Sequence, residues 1–377
     1  MPARFRAHST SKLLLAALAA AITMLSASTA TTAAAATPGL WTSSAELSRL
    51  PMTGSAWTSL KAVADGSLGT ANLADQSNMH GTRVFGVALV YARTGQATYR
   101  EKARAAIMSA IGTEAGARSL ALGRNMASYV LAADLIGLDA LSPRDGATFR
   151  SWIAGIRTRT NSGNTRWPTL VLTSDNTSNN WGAFATASRI AIDLYLGDTA
   201  DLQRAAQIHL AYGDRTKYPT GKSWGSYFQP TADFDPAHWA CGDARTWVAI
   251  NPACLKNGAN LDGAFVEDIS REGLQQTLLP QPSSSSGVSY SWETLQGVTV
   301  QAELLRRAGY PTLWDASNQA LKRATLFIQR AGWHEIWSVT RYVPWLVNKR
   351  YGTAFPTRTS GYGRLVGFTD WTHSAAA

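Results

Sequence analysis

Residues 178–210, SNNWGAFATASRIAIDLYLGDTADLQRAAQIHL, decide the fold class. Asn180, Phe184, Ala187 and Ala191 recur at helical spacing, the apolar run stops at Gly197-Asp198, and a second run starts at Thr199. Residues so spaced share one face of a helix, and glycine is the usual residue just past a helix end. The stretch therefore reads as an antiparallel helical hairpin. Asn180 heads the inward stripe, which carries its carboxamide toward the interior, while Ser178 and Asn179 stand where a helix is capped. Two uses of the asparagines fit this placement. Both can satisfy the free N–H groups of the helix start, or one can present an amide to a substrate carboxylate.

The same rhythm runs from Leu47 to Leu210. MHGTRVFGVALVYARTG puts His80, Val84, Val87, Ala88 and Tyr91 on one face and ends at Gly95, after which TYREKARAAIMSAI returns. A further pair starts near Gly123 with RNMASYVLAADLIGL, stops at Gly137, and resumes at Ser142-Pro143, with serine capping and proline at the first helical position. Residues 213–263 break the pattern with many Gly, Pro, Trp and Asp residues. Helical spacing resumes in AFVEDISREGLQQTLL, and after the turn QPSSSSG in YSWETLQGVTVQAELLRRAG and WDASNQALKRATLFIQRAG. The tail from WSVTRYVPW starts helical and ends in loop. No stretch alternates as a strand does, and no dinucleotide or phosphate loop is present. The expected fold is all-α, a series of antiparallel helical hairpins closing into an α/α barrel or toroid. The periodicity supports the hairpins and does not itself show the closure.

Residues 1–36 read as a secretory signal: Arg4, Arg6 and Lys12 precede the apolar run LLLAALAAAITML and an alanine-rich stretch. Residues 37–377 are then one catalytic domain, exported and without a membrane span. The formal charge is +10, and loss of the three basic residues of the leader leaves the chain basic. That excess either keeps the protein soluble or meets an acidic partner. With no nucleic-acid motif or Lys/Arg block, and with the aromatics Trp224, Tyr227, Phe228, Trp239 and Trp247 in the irregular region, an acidic polysaccharide is the expected partner. The only two cysteines, Cys241 and Cys254, are expected to form a disulfide, worth about 3 kcal/mol in the chain-entropy model. No CxxC, HxxxH or HExxH spacing occurs, so no metal or cofactor is expected.

Three expected helix starts carry inward polar groups: His80, Asn180 and Tyr290. Each has a plain structural reading as well, as a core histidine, a cap and a rim aromatic. Arg271 can pair with Glu267 four residues earlier, and Glu293 reads as a first-turn acid that favours the helix dipole. Taken together, Asn180, Arg271, Tyr290 and a histidine suit β-elimination on a uronate. Neutralising the carboxylate acidifies the adjacent C5 proton, and a tyrosine beside a cation can take that proton or protonate O4. His80 or His238 can share the work. Hydrolysis, the competing chemistry, needs two carboxylates across the bond, for which Asp175, Asp262, Glu267 and Asp268 are available without a diagnostic spacing. A third class is a polysaccharide-binding protein without activity.

Asn179-Asn180-Trp181 leading into a helix that ends LYLGD, then LDGAFVEDISREG and YSWETLQGVTVQAELLRRAGYPTLWD, resemble the alginate lyase and glucuronan lyase families of α/α-barrel polysaccharide lyases. The YGTAFP tail fits the same group. The resemblance implies that Asn180 neutralises the carboxylate, that Arg271 assists and perturbs the tyrosine, and that Tyr290 is the acid or both acid and base. Trp181 departs from the pattern, standing where the family has histidine. Indole takes no proton, so either Tyr290 does both jobs or His80 substitutes. Asn179, Trp181, His238, Trp239 and Trp224 are the expected substrate-binding residues.

Overall fold

The computed structural model describes residues 39–160, 168–219, 239–242, 247–256, 258–269, 285–331 and 338–374, with side chains from Tyr290 onward in the segment beginning at 285. The expected leader, Trp224, His238 and Arg271 lie outside these residues.

Helices dominate what remains. Short α1 (Ser44–Arg49) and α2 (Gly54–Asp65) precede α3 (His80–Thr94) and α4 (Ala97–Ala110), and α5 (Ser119–Ile136) leads through α6 (Leu138–Leu141) into α7 (Pro143–Thr158). Next come α8 (Leu170–Asn176), α9 (Asn180–Leu196) and α10 (Thr199–Ala211), then α11 (Val266–Ile269) and the long α12 (Ser285–Arg307). The series ends with α13 (Ala320–Arg330), α14 (Val343–Tyr351) and α15 (Thr369–Thr372). Local chemistry explains many of the ends. Gly95, Gly137 and Gly197 each adopt the left-handed conformation that closes α3, α5 and α9. Ser142 caps α7 with Pro143 in its first turn.

Several boundaries depart from the sequence reading. LVLTSDN, a segment that the sequence pattern assigns to no helix, forms α8, whose start Thr169 caps through its side chain. α5 begins four residues before Gly123, and α12 begins at Ser285, so part of the serine turn is helical and Tyr290 sits in the second turn instead of at the start. α13 starts only at Ala320, because Ser317, Asn318 and Gln319 all take positive φ and cannot continue a right-handed helix. One small hairpin also appears, Leu255–Lys256 paired antiparallel with Ala259–Asn260, beside the Cys241–Cys254 disulfide. No helix among the described residues is long and apolar enough to cross a membrane.

The interior is organised by four helices. α3 packs on α5, α5 on α9, and α9 on α12, while α2 and α4 flank α3, α7, α8 and α10 flank α9, and α13 and α14 flank α12. Every residue of α5 is buried, so it lies at the centre of this row. The crossings depend on glycine. A Cβ on Gly297 of α12 would stand 2.5 Å from the Ala183 carbonyl carbon of α9, and one on Gly123 of α5 would stand 2.9 Å from the Ala185 nitrogen. Backbone therefore meets backbone on both sides of α9, near its first turn. Since backbone cannot move aside as a flexible side chain can, Gly297→Ala should destabilise the protein by about 1–3 kcal/mol through overpacking. Denaturant unfolding would measure this, and an unchanged midpoint would contradict the packing described.

Candidate active site

The glycine contacts bring the first turns of α5 and α9 against the middle of α12, and a buried ionic cluster lies there. Asn179 is the N-cap of α9, its side chain accepting from the Trp181 N–H at 2.9 Å. Asn180 then points inward, 1 % exposed, and donates through Nδ2 to Glu293 Oε2 at 2.5 Å. Arg124, in the second turn of α5, donates to the same oxygen at 2.5 Å. Arg364, on the turn after α14, donates to Glu293 Oε1, also at 2.5 Å. Glu293 is thus no first-turn dipole partner but a buried carboxylate held from three directions. Burial alone would raise its pKa, but the charges of Arg124 and Arg364 and the Asn180 hydrogen bond outweigh burial and hold it below the usual carboxylate range. Arg124 pays the complementary cost: burial brings its pKa down to about 10, with Glu293 opposing the fall and the like charge of Arg364 adding to it.

A second carboxylate secures the entry to α9. Glu267 of α11 accepts from Ser178 Oγ at 3.0 Å and from Asn179 Nδ2, while its neighbour Asp268 accepts from Thr294 Oγ1. Ser178, expected as a cap, instead joins α11 to α9. α11 therefore clips the first turn of α9 to α12 next to Glu293. Its neighbour in sequence, Arg271, lies outside the described residues, so the expected pairing with Glu267 does too.

Tyr290 lies three residues before Glu293, which places it on the same side of α12 one turn nearer the helix start. It is half-buried, unlike the fully buried residues from Ser291 to Leu305 that follow it, and it interacts electrostatically with Arg124. His80 opens α3 and is 4 % exposed; its Nδ1 lies 2.8 Å from the Tyr129 hydroxyl of α5. Burial, with the charge of Arg83 adding to it, lowers the His80 pKa, so the ring is neutral at neutral pH. Gly81 is adjacent to the same helix, where a Cβ would meet Tyr129 at 2.9 Å and the Asn125 carbonyl at 3.3 Å. His80 therefore lies against the middle of α5, where it bonds Tyr129 and not the Glu293 cluster.

The remaining residues named from sequence fall elsewhere. Trp181 is half-buried against the core. Trp239 is only 3 % exposed and packs in the main core, so its ring is not available to stack on a sugar. Asp175 is bound to Arg189 and Arg204, each at 2.8 Å, and Asp262 to Arg323 at 2.7 Å. With Glu267 and Asp268 clipped as above, all four candidate hydrolytic acids have structural partners. Sequence reasoning missed Arg124 and Arg364. Arg124 carried one signal, a cation inside the mostly apolar run of α5; Arg364 carried none. No family model matches the chain, and no curated protein matches it.

Proposed function

We propose that the protein is a secreted polysaccharide lyase that cleaves a uronate-containing polymer by β-elimination. The observation that carries this reading is the gathering of Arg124, Asn180, Arg364 and Glu293 beneath a half-buried Tyr290. A cationic, largely desolvated floor under a phenol is what the reaction asks for. Charge that develops on the uronate carboxylate as C5 loses its proton is stabilised by fixed donors, and such donors act strongly where water is excluded.

A base removes the C5 proton, the C5–H electron pair becomes the C4=C5 double bond, and the C4–O4 bond breaks with its electrons on O4, which is then protonated. Tyr290 performs both transfers when the C5 proton and O4 lie on one side of the ring. On the opposite geometry the neutral ring of His80, with Nδ1 held by Tyr129, offers Nε2 as base. Asn180 fixes Glu293, which in turn orients the guanidiniums. In this reading the helical row α3–α5–α9–α12 is the inner wall of an α/α barrel whose helix starts rim the cleft, and the disulfide fits an oxidising, extracellular setting.

The test is ultraviolet absorbance of the purified protein incubated with alginate, glucuronan, pectate and hyaluronan. Elimination gives a conjugated unsaturated uronate, so absorbance should rise with at least one polymer. New reducing ends without absorbance would replace the reading with hydrolysis, and retention on a polyuronate column with neither signal would replace it with binding alone.

A further inference from the structure

The segment between α14 and α15 makes a tight turn that is expensive locally and well anchored. Tyr362 bridges Gly367 antiparallel, and the Phe368 N–H donates to the Gly361 carbonyl at 2.6 Å. Leu365 and Phe368 adopt positive φ, 69° and 58°, a conformation that bulky residues keep only where their surroundings impose it. Here the surroundings are α3 and α5. The Gly363 carbonyl accepts from Thr82 Oγ1 at 2.7 Å, the Leu365 carbonyl from Ser128 Oγ at 2.5 Å, and the Leu365 N–H donates to the Arg124 carbonyl at 3.0 Å. Ser360 and Asp370 close the base of the turn with reciprocal hydrogen bonds.

This anchoring fixes the residue between Gly363 and Leu365, and that residue is Arg364. Its side chain crosses to Glu293, yet keeps 13 % exposure where Arg124 keeps 5 % and Glu293 keeps 3 %. Of the two guanidiniums on that carboxylate, Arg364 is the one nearer the accessible side. Arg124 stands behind, its charge crowded by Arg364. A strained turn that holds an arginine so near the surface of a buried ion cluster is more than a closure of the fold requires, because Asn180 and Arg124 already bind Glu293.

We propose that Arg364 is a substrate-binding residue, which with Arg124 behind it recognises the carboxylate of the uronate seated above Tyr290. This assignment rests on the uronate reading of the site. It gives Asn180 a positioning role on Glu293, and gives carboxylate recognition to the 360–368 turn.

The experiment is isothermal titration of tetrasaccharides of mannuronate, guluronate, glucuronate and galacturonate, and of their carboxyl-reduced counterparts, into Tyr290→Phe protein, in which turnover is expected to be at least about 10²-fold slower. Adding Arg364→Gln should weaken the best uronate ligand by about tenfold or more and leave the carboxyl-reduced ligand unchanged, as expected for loss of a charge-assisted pair. Arg364→Lys, which keeps the charge without the planar fork, should recover part of the affinity. Equal losses for both ligands, or a change within about twofold for the uronate, would overturn the proposal. If Arg364→Gln does not fold by circular dichroism, Arg364→Lys carries the test, and unchanged uronate affinity in it would overturn the proposal. Failure of the Tyr290-containing protein to eliminate any polymer would remove the lyase reading while the affinity comparison still decides Arg364; no uronate binding at all would remove both.

Discussion

Tyr290→Phe should lower the rate of the proposed uronate elimination by about 10²–10⁴-fold, the span of a lost general acid–base group, and leave thermal stability close to that of the parent. The substitution deletes one hydroxyl from a half-buried ring and keeps the ring itself, so packing at the head of α12 is preserved. If Tyr290 both removes the C5 proton and protonates O4, the loss lies toward the upper end of that span, because one deletion blocks two transfers. His80→Gln separates the two geometries. A small effect means that Tyr290 works alone, and a loss as large as that of Tyr290→Phe means that the proton leaves from the opposite face. Initial rates of absorbance increase measure both, and near-parental activity in Tyr290→Phe would sink the mechanism.

The second large effect is on stability. Glu303, near the far end of α12, is fully buried and accepts from Arg306 at 3.0 Å and Arg350 at 2.6 Å, with His373 Nε2 at 3.7 Å. Burial pushes its carboxyl up, but His373, Arg306 and Arg350 together hold it well below the usual carboxylate range. Glu303→Gln leaves this cluster of cations without its buried counter-charge, which should cost about 3–5 kcal/mol at neutral pH. The pH dependence has a definite sign. The folded pKa is depressed, so the contribution of Glu303 is complete above the unfolded carboxylate range of about 4.3 and fades as pH falls below it toward the folded value. The difference in unfolding free energy between parent and Glu303→Gln should therefore shrink on acidification. A difference that holds constant from neutral pH to strongly acidic conditions would show that the carboxylate charge is not what stabilises this junction.

Much of the helical architecture can be read from residues that act locally. Gly95, Gly137 and Gly197 end helices because the left-handed conformation is open to them, and Ser142-Pro143 starts one because serine caps and proline needs no N–H partner there. The inward stripe from Asn180 through Phe184, Ala187 and Ala191 is buried throughout, as its spacing requires. What escaped was of two kinds. α8 formed from a polar segment because Thr169 caps it and α9 packs along it, which are tertiary facts that propensity does not contain. The ion cluster escaped because its members are joined across the chain. Glu293, taken alone, is an acid near a helix start; only the docking of α5, α9 and the 360–368 turn makes it a shared counter-ion. No local spacing encodes the approach of Arg124 or Arg364.

Those separations also bear on how the proposed site assembles. The three donors on Glu293 lie 169, 113 and 71 residues from it in sequence. Closing loops of that size costs entropy before any contact repays it, and contacts of long range are made slowly, whereas single helices form in about a microsecond. Helix content and a working site are thus acquired at different stages of folding. A chain with full far-ultraviolet ellipticity can still hold Glu293 and its guanidiniums apart, so refolded or mutated preparations are better judged by near-ultraviolet ellipticity than by helicity.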